Sequence, residues 1–414
     1  MDHSSQQMDD SAHNMEPAPS SDSGGMHEMK SDVTRPQLVV VTLLSVLALV
    51  AGLVWSAMYT NLRIGSHDVD GAIMPPGMIM TRDMPAEAMK DMAAVDPRDV
   101  EYSAPFDAQG HQVLEPRIED GVKVFELELS VIKWSILPDV QMMAYAINRQ
   151  VPGPRIRVTE GDRIRMVVTN HLPESTTLHW HGLIVPNDMD GAAMITQDPI
   201  EPGDTFTYEF TTEQYGTYFY HSHDHIDRQQ GLGVYGALII DPKDPADDYD
   251  VDQELVVQLQ EWLERDGYTY PAMPMEGAMP NYFTVNGKAY PSTQTAHLNV
   301  GDQLLVRFIG TSSGFIHPMH IHGGPFEVVA IDGFPVPEGT GELRDTVNVG
   351  PGQRYDVIWT AVEPGKWLLH CHINHHTTNN NTETDGGGGL MLILEVGSGD
   401  VEATPVAMHE HHEM

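Results

Sequence analysis

One histidine pattern occurs twice in this chain, in the same order, and it restricts the possible folds more than any other feature. His179-x-His181-Gly182 and His221-x-His223 recur as His320-x-His322-Gly323 and His370-x-His372, at offsets of 141 and 149 residues. Gly161-Asp162 ahead of the apolar run 164–168 matches Gly301-Asp302 ahead of 304–308, at an offset of 140. A repeat of this length means two copies of one domain. The runs around the motifs are short and alternating or apolar, at 122–129, 155–158, 163–169, 206–210 and 236–240, and turn residues break them. That spacing, in a chain with 37 Gly and 29 Pro, predicts all-β sandwiches. Residues i and i+2 of a strand point to one face, so each His-x-His pair offers two imidazoles to one site. The eight nitrogens can serve three metal ions.

A second constellation overlaps the last pair. His317, Cys371 and His376, with Leu390 or Met391 downstream, have the composition of a His₂Cys blue-copper site with a weak axial neighbour. Cys371 is the only cysteine, so no intramolecular disulfide forms, and it lies between two histidines rather than in an apolar run. An electron reaching its sulfur has a covalent route to both His370 and His372.

Ahead of the repeats, residues 1–36 lack apolar periodicity and read as a disordered tail containing Met and His. Residues 38–59 then run without a charge, long enough to cross a bilayer as one helix, with Trp55 and Tyr59 where an interfacial belt falls. Lys30 and Arg35 precede this span and Arg63 follows it, which puts the N-terminus in the cytoplasm and the rest outside. The stretch is overlong for a cleaved signal peptide, and no A-x-A site follows it. The expected order is a tail (1–36), a transmembrane anchor (37–60), a Met-rich linker (61–114), domain 1 (115–248), domain 2 (249–398) and a His/Met tail (399–414). The linker methionines Met74, Met78, Met80, Met84, Met89 and Met92 read either as a Cu(I)-collecting set or, for the last three, as the apolar face of a short helix. Sixty acidic against 22 basic side chains give a formal charge of −38, which excludes nucleic acid as a partner.

Together, His179-Trp180-His181-Gly182, His221-Ser222-His223, His317-Pro318-Met319-His320-Ile321-His322-Gly323 and His370-Cys371-His372-Ile373-Asn374-His375-His376 make the chain resemble the multicopper oxidases over roughly residues 115–398. The resemblance implies two cupredoxin-like Greek-key β-sandwich domains and four coppers per chain equivalent. His179 and His320 would hold a type 2 copper. His181, His221, His223, His322, His370 and His372 would hold a type 3 pair, and His317, Cys371 and His376 a type 1 copper. His375 is not a motif position and is taken as a neighbour. Leu390 as the axial neighbour implies a higher potential than a coordinating Met391. A loop rich in Asn, Thr and Gly, 377–388, replaces the family's short step to that residue.

The same resemblance implies a laccase-like reaction. A phenol, Cu(I), Fe(II) or Mn(II) gives single electrons to type 1 copper near a solvent-facing edge of His376 or His317, and four electrons reduce dioxygen to water at a trinuclear cluster. Asp190, and Asp224 directly after His223, are the candidate proton suppliers. Two repeats rather than three resemble the two-domain small laccases, in which the cluster forms between chains of a homotrimer. The expected location is the cell membrane, single-pass, with the catalytic domains extracytoplasmic. One rival is a copper nitrite reductase, which carries the type 1 cysteine in domain 1, where this chain has Ser222. The other is a copper-binding or resistance protein without turnover, which needs no Cys371 between cluster ligands.

Overall fold

Burial alternates along most of the β runs, and that alternation builds two sandwiches. The computed structural model describes residues 34–60, 73–75, 90–337, 339–383 and 386–397. The tail 1–33, Met78, Met80, Met84, Met89 and the terminal His/Met segment lie outside the described residues. The helix Arg35–Thr60 is one compact unit, and its stretch Arg35–Trp55 is long and apolar enough to cross a membrane by length and composition. The β body is the other unit.

In the first repeat, the strand Val122–Leu137 runs parallel to Arg163–His171 and antiparallel to Val140–Ile147 in one sheet. The second sheet orders Ile156–Thr159, Tyr235–Asp241, Gly216–Ser222 and Leu178–His181. The second repeat uses the same plan. Gln253–Arg265 runs parallel to Gln303–Ile309, and Ala296–Asn299 runs parallel to Met391–Gly397. Parallel neighbours cannot be joined by a hairpin, so the chain crosses between sheets in both copies, as a Greek-key sandwich requires. Phe125, Leu127, Trp180, Tyr208 and Tyr220 fill the first core; Phe283, Phe308, Met319, Trp359 and Leu369 fill the second.

The two sandwiches pack through Phe219, Ala237 and Ile239 of the first against Val256 and Ile309 of the second. Beside this apolar contact, Asp356 accepts hydrogen bonds from Thr217 Oγ1 and from the buried Arg307 at 2.7 and 2.8 Å. An unpaired charge there would cost several kcal/mol, so the two repeats hold a defined relation. Within the stretch expected as linker, residues 90–114 form a strap along both repeats. Val95 N–H donates to Thr269 O, Ala104 N–H to Lys133 O and Leu114 N–H to Arg155 O. Val100 and Ala104 are 4% exposed, so the strap is part of the packed body.

Candidate metal centres

Cross-strand register places the histidines. His179 lies directly opposite His221 in the first repeat, and His320 directly opposite His370 in the second. Opposed residues share a face of the sheet. In Leu178–His181, Leu178 and Trp180 are buried, so His179 and His181 point away from the core. In Gly365–Cys371, His370 points out with His320, while Cys371, opposite Met319, points into the core. Two adjacent residues of one strand therefore serve two different sites.

In the first quartet the His179 ring lies 5.4 to 5.7 Å from those of His181, His221 and His223. His179 Nδ1 donates to Asp190 O at 2.7 Å, and His221 Nδ1 to Ser222 O at 2.8 Å, which leaves both Nε2 atoms free to ligate. A Cβ on Gly191 would collide with Leu178 O, so only glycine lets the Asp190 carbonyl approach so closely. The second quartet repeats the device. His320 Nδ1 donates to Asp345 O at 2.6 Å and His370 Nδ1 to Cys371 O at 2.9 Å. Facing ring nitrogens are 3.2 Å apart for His181 and His221, and 3.0 Å apart for His322 and His370. Two nitrogens on one first-row ion, each about 2.0–2.1 Å from it, sit about 3 Å apart, so this spacing fits shared metals. Burial pushes His181 down to about 4 and His221 well below the usual range, which keeps both imidazoles neutral.

The third set is inside the second core. His317 Nδ1 and His376 Nδ1 are 3.1 Å apart, and Cys371 Sγ is 3.9 and 3.5 Å from them. Burial pushes the Cys371 thiol up to about 12 and His376 down to about 3, so the thiolate forms only when a metal takes the proton's place. A neutral N₂S trio suits copper and matches the expected type 1 ligands. Leu390 packs with Cys371 in the core, and Cys371 N–H donates to its carbonyl. Met391 lies opposite His370, on the outward face, with its sulfur against Gly387.

Of the two acids singled out, Asp190 has a carboxylate oxygen 3.4 Å from His179 Nδ1, whereas Asp224 accepts from Ser175 Oγ at 2.7 Å. The expected solvent-facing edge of the trio is corrected: His317 and Cys371 are 0% exposed and His376 only 6%, because Phe283 stacks on the His376 ring at 4.2 Å. Sequence reasoning also missed Glu261, whose Oε1 accepts from His317 Nε2 at 2.5 Å, with both residues buried. Its only signal was an acid inside the mostly buried strand Gln253–Arg265.

Among the described residues, two groups gather three donor atoms: His179 with His181 and His221, and His317 with Cys371 and His376. Neither group mixes the two quartets, and every ring contact among the quartet histidines is internal to its own quartet.

Family models described as multicopper oxidase match residues 128–245 and 269–381, together more than half of the chain. A copper resistance protein A homolog of Pseudomonas syringae is 31% identical over 60% of this chain and 49% of that protein. Laccase-1 of Cryptococcus neoformans is 32% identical over 58% of this chain and 42% of that one. The chain thus spans under half the length of these relatives. Among solved structures, the blue copper oxidase from Nitrosomonas europaea is similar at a TM-score of 0.60 and 34% identity, over 66% of this chain and 86% of that one. A multicopper oxidase called mgLAC is similar at 0.62 and 33%, over 70% and 92%.

Proposed function

We propose, for a chain that belongs to the multicopper oxidase family, that it oxidises a reducing substrate by single electrons and passes four of them to dioxygen. The observation that carries this reading is the strand Gly365–Cys371, which holds Cys371 of the buried trio and His370 of the outward quartet at consecutive positions. Copper at these sites would supply the one-electron relay and the reduction of dioxygen to two waters.

The chain's own residues supply the rest. His317, Cys371 and His376 would hold type 1 copper, with Leu390 as a non-coordinating axial neighbour because it shares the Cys371 side of the strand pair. His179 and His320 would hold type 2 copper; His181, His221, His223, His322, His370 and His372 would hold the type 3 pair. The Asp190 and Asp345 carbonyls orient the first two, and the Asp190 and Asp224 carboxylates are the groups proposed to feed protons.

Separation of the quartets supports a cluster built from two chains, each supplying one half, and hence a closed ring such as a homotrimer. The helix Arg35–Thr60 supports a membrane anchor with the β body extracytoplasmic. Donors of the phenol, Cu(I), Fe(II) and Mn(II) classes all fit the reaction.

The test is copper content, visible spectrum and oxygen uptake of the copper-loaded full-length chain. About four coppers per chain, a blue band and uptake with a donor are expected. Copper bound without colour or uptake would instead make this a copper-binding protein, and turnover of nitrite in place of dioxygen would make it a reductase.

A further inference from the structure

The second repeat reaches into the first quartet of the same chain at His181. A Cβ on Gly352, in the turn 350–353, would lie 2.8 Å from Cε1 and 3.1 Å from Nε2 of the His181 ring, so only a glycine lets turn and ring meet. One face of that ring stacks on Phe219 at 4.6 Å, and Phe219 packs with Val256 and Ile309 of the second repeat. Nδ1 is left to face His221 Nε2 at 3.2 Å. The imidazole is thus held on a face and on an edge by structure that exists only when the two repeats pack.

Arg354 locks the turn. It is 4% exposed, and its guanidinium donates from Nη1 to Gly352 O at 2.6 Å, from Nη2 to Asp332 O at 2.8 Å and from Nε to Thr217 O of the first repeat at 3.2 Å. Three main-chain oxygens on one planar fork fix the backbone around His181. The turn also closes on itself: Gln353 N–H donates to Gly350 O and Gly350 N–H to Gln353 Oε1, both at 3.0 Å, while Gly352 N–H donates to Gly310 O at 2.8 Å. Gly182, directly after His181, admits the guanidinium, since a Cβ there would sit 2.5 Å from Nη2. Gly323, at the matching place after His322, faces Trp359 and Trp367 of its own repeat instead.

We propose that Gly352 and Arg354 are positioning residues for His181, and that through them the metal geometry of the first quartet depends on the contact between the repeats. The proposal rests on the oxidase reading above and deepens it. On that reading His181 and His221 belong to the type 3 pair, whose two ions couple their spins only when their ligands hold them at a set separation. Without the turn against its edge, the His181 ring tilts on Phe219 and Nδ1 no longer converges with His221 Nε2.

The test uses the copper-loaded full-length chain and reads copper retained against a chelator, the blue band, and the share of copper silent in electron paramagnetic resonance, which a coupled pair produces by cancelling its spins. Gly352→Ala is expected to weaken copper retention at the first quartet about tenfold, the usual cost of losing a residue that orients a ligand. The silent share disappears while the blue band keeps its wild-type intensity. Gly121→Ala is the control: its φ of 81°, against 77° at Gly352, carries the same backbone penalty, but nothing lies within 4 Å of the new Cβ, and all three readings stay at wild-type values. Arg354→Lys keeps the charge without the planar fork and loses the silent share as well, which carries the test if Gly352→Ala does not fold. Wild-type silent copper in either folded variant would overturn the proposal. So would an equal loss in Gly121→Ala, or a blue band that falls in step with the silent share. A wild-type chain that binds no copper, or whose copper is all visible, fails the oxidase reading itself.

Discussion

At the residue scale, Glu261 and His317 form a carboxylate–histidine pair that a metal at Nδ1 would feel directly. The carboxylate holds the tautomer with hydrogen on Nε2 and places negative charge beside the trio, which favours the more positive oxidation state of a bound ion. Glu261→Gln keeps an acceptor for Nε2–H and removes the charge. Redox titration of the copper-loaded variant is expected to give a higher reduction potential with the blue band retained; an unchanged potential would show that the charge is compensated elsewhere. Glu261→Ala leaves a buried donor unmet, and thermal unfolding should register a loss of about 1–3 kcal/mol.

At the element scale, the short helix Ile226–Gln229 after His223 acts as a clamp. Arg228, 7% exposed, donates to Glu174 at 2.9 Å, to Tyr145 Oη at 3.1 Å and to Ala93 O of the strap. Gln229 accepts from Thr176 Oγ1 at 2.7 Å, and Gln230 donates to Thr311 O of the second repeat at 2.9 Å. These bonds aim the His223 turn at the strand leading to His179. Arg228→Met should cost about 3 kcal/mol and weaken copper at the first quartet. If the proposed copper assignment holds, the near-ultraviolet band of a type 3 pair should be lost while the blue band of the buried trio persists. Parallel loss of both bands would mean general unfolding.

The strap adds a pH dependence at this scale. His225 is raised to about 9, chiefly by its hydrogen bond to Asp91 at 2.7 Å. A histidine raised above its ordinary value stabilises fully below about pH 6.5 and loses that contribution as pH passes through 9. Hydrogen exchange at the Val95 amide should therefore quicken, relative to core amides, between pH 6.5 and 9, and Asp91→Asn should remove the dependence.

At the scale of the whole molecule, the two quartets belong to one chain but do not meet in the contacts it makes. If partner chains complete each cluster, a variant dead in the first quartet, His179→Ala with His221→Ala, should complement Cys371→Ser, which is dead in the second repeat. Mixed by co-expression, the two should recover about a quarter of wild-type oxygen uptake, the share of interfaces that pair two intact halves in a ring. No recovery would place the whole cluster within one chain.

The proposed ligands were legible in the amino-acid order because their placement on a strand depends on local rules. Strand alternation sets which neighbour faces out, so His-x-His and His-Cys-His announce their sites without knowledge of the fold, and the repeated spacing announces two sandwiches. Tertiary structure alone decided what depends on distant segments. Glu261 is 56 residues from His317 and Phe283 is 93 from His376, and no periodicity links them. Proposing Leu390 rather than Met391 as the axial neighbour needed the register of two strands, because adjacent residues on a strand face opposite ways. The strap's short, mostly polar stretches carry no strand pattern, and its pairing with Thr269 and Lys133 arises only when both repeats are folded. The closed edge of the trio is likewise a product of packing, since accessibility is a sum over every element that converges there.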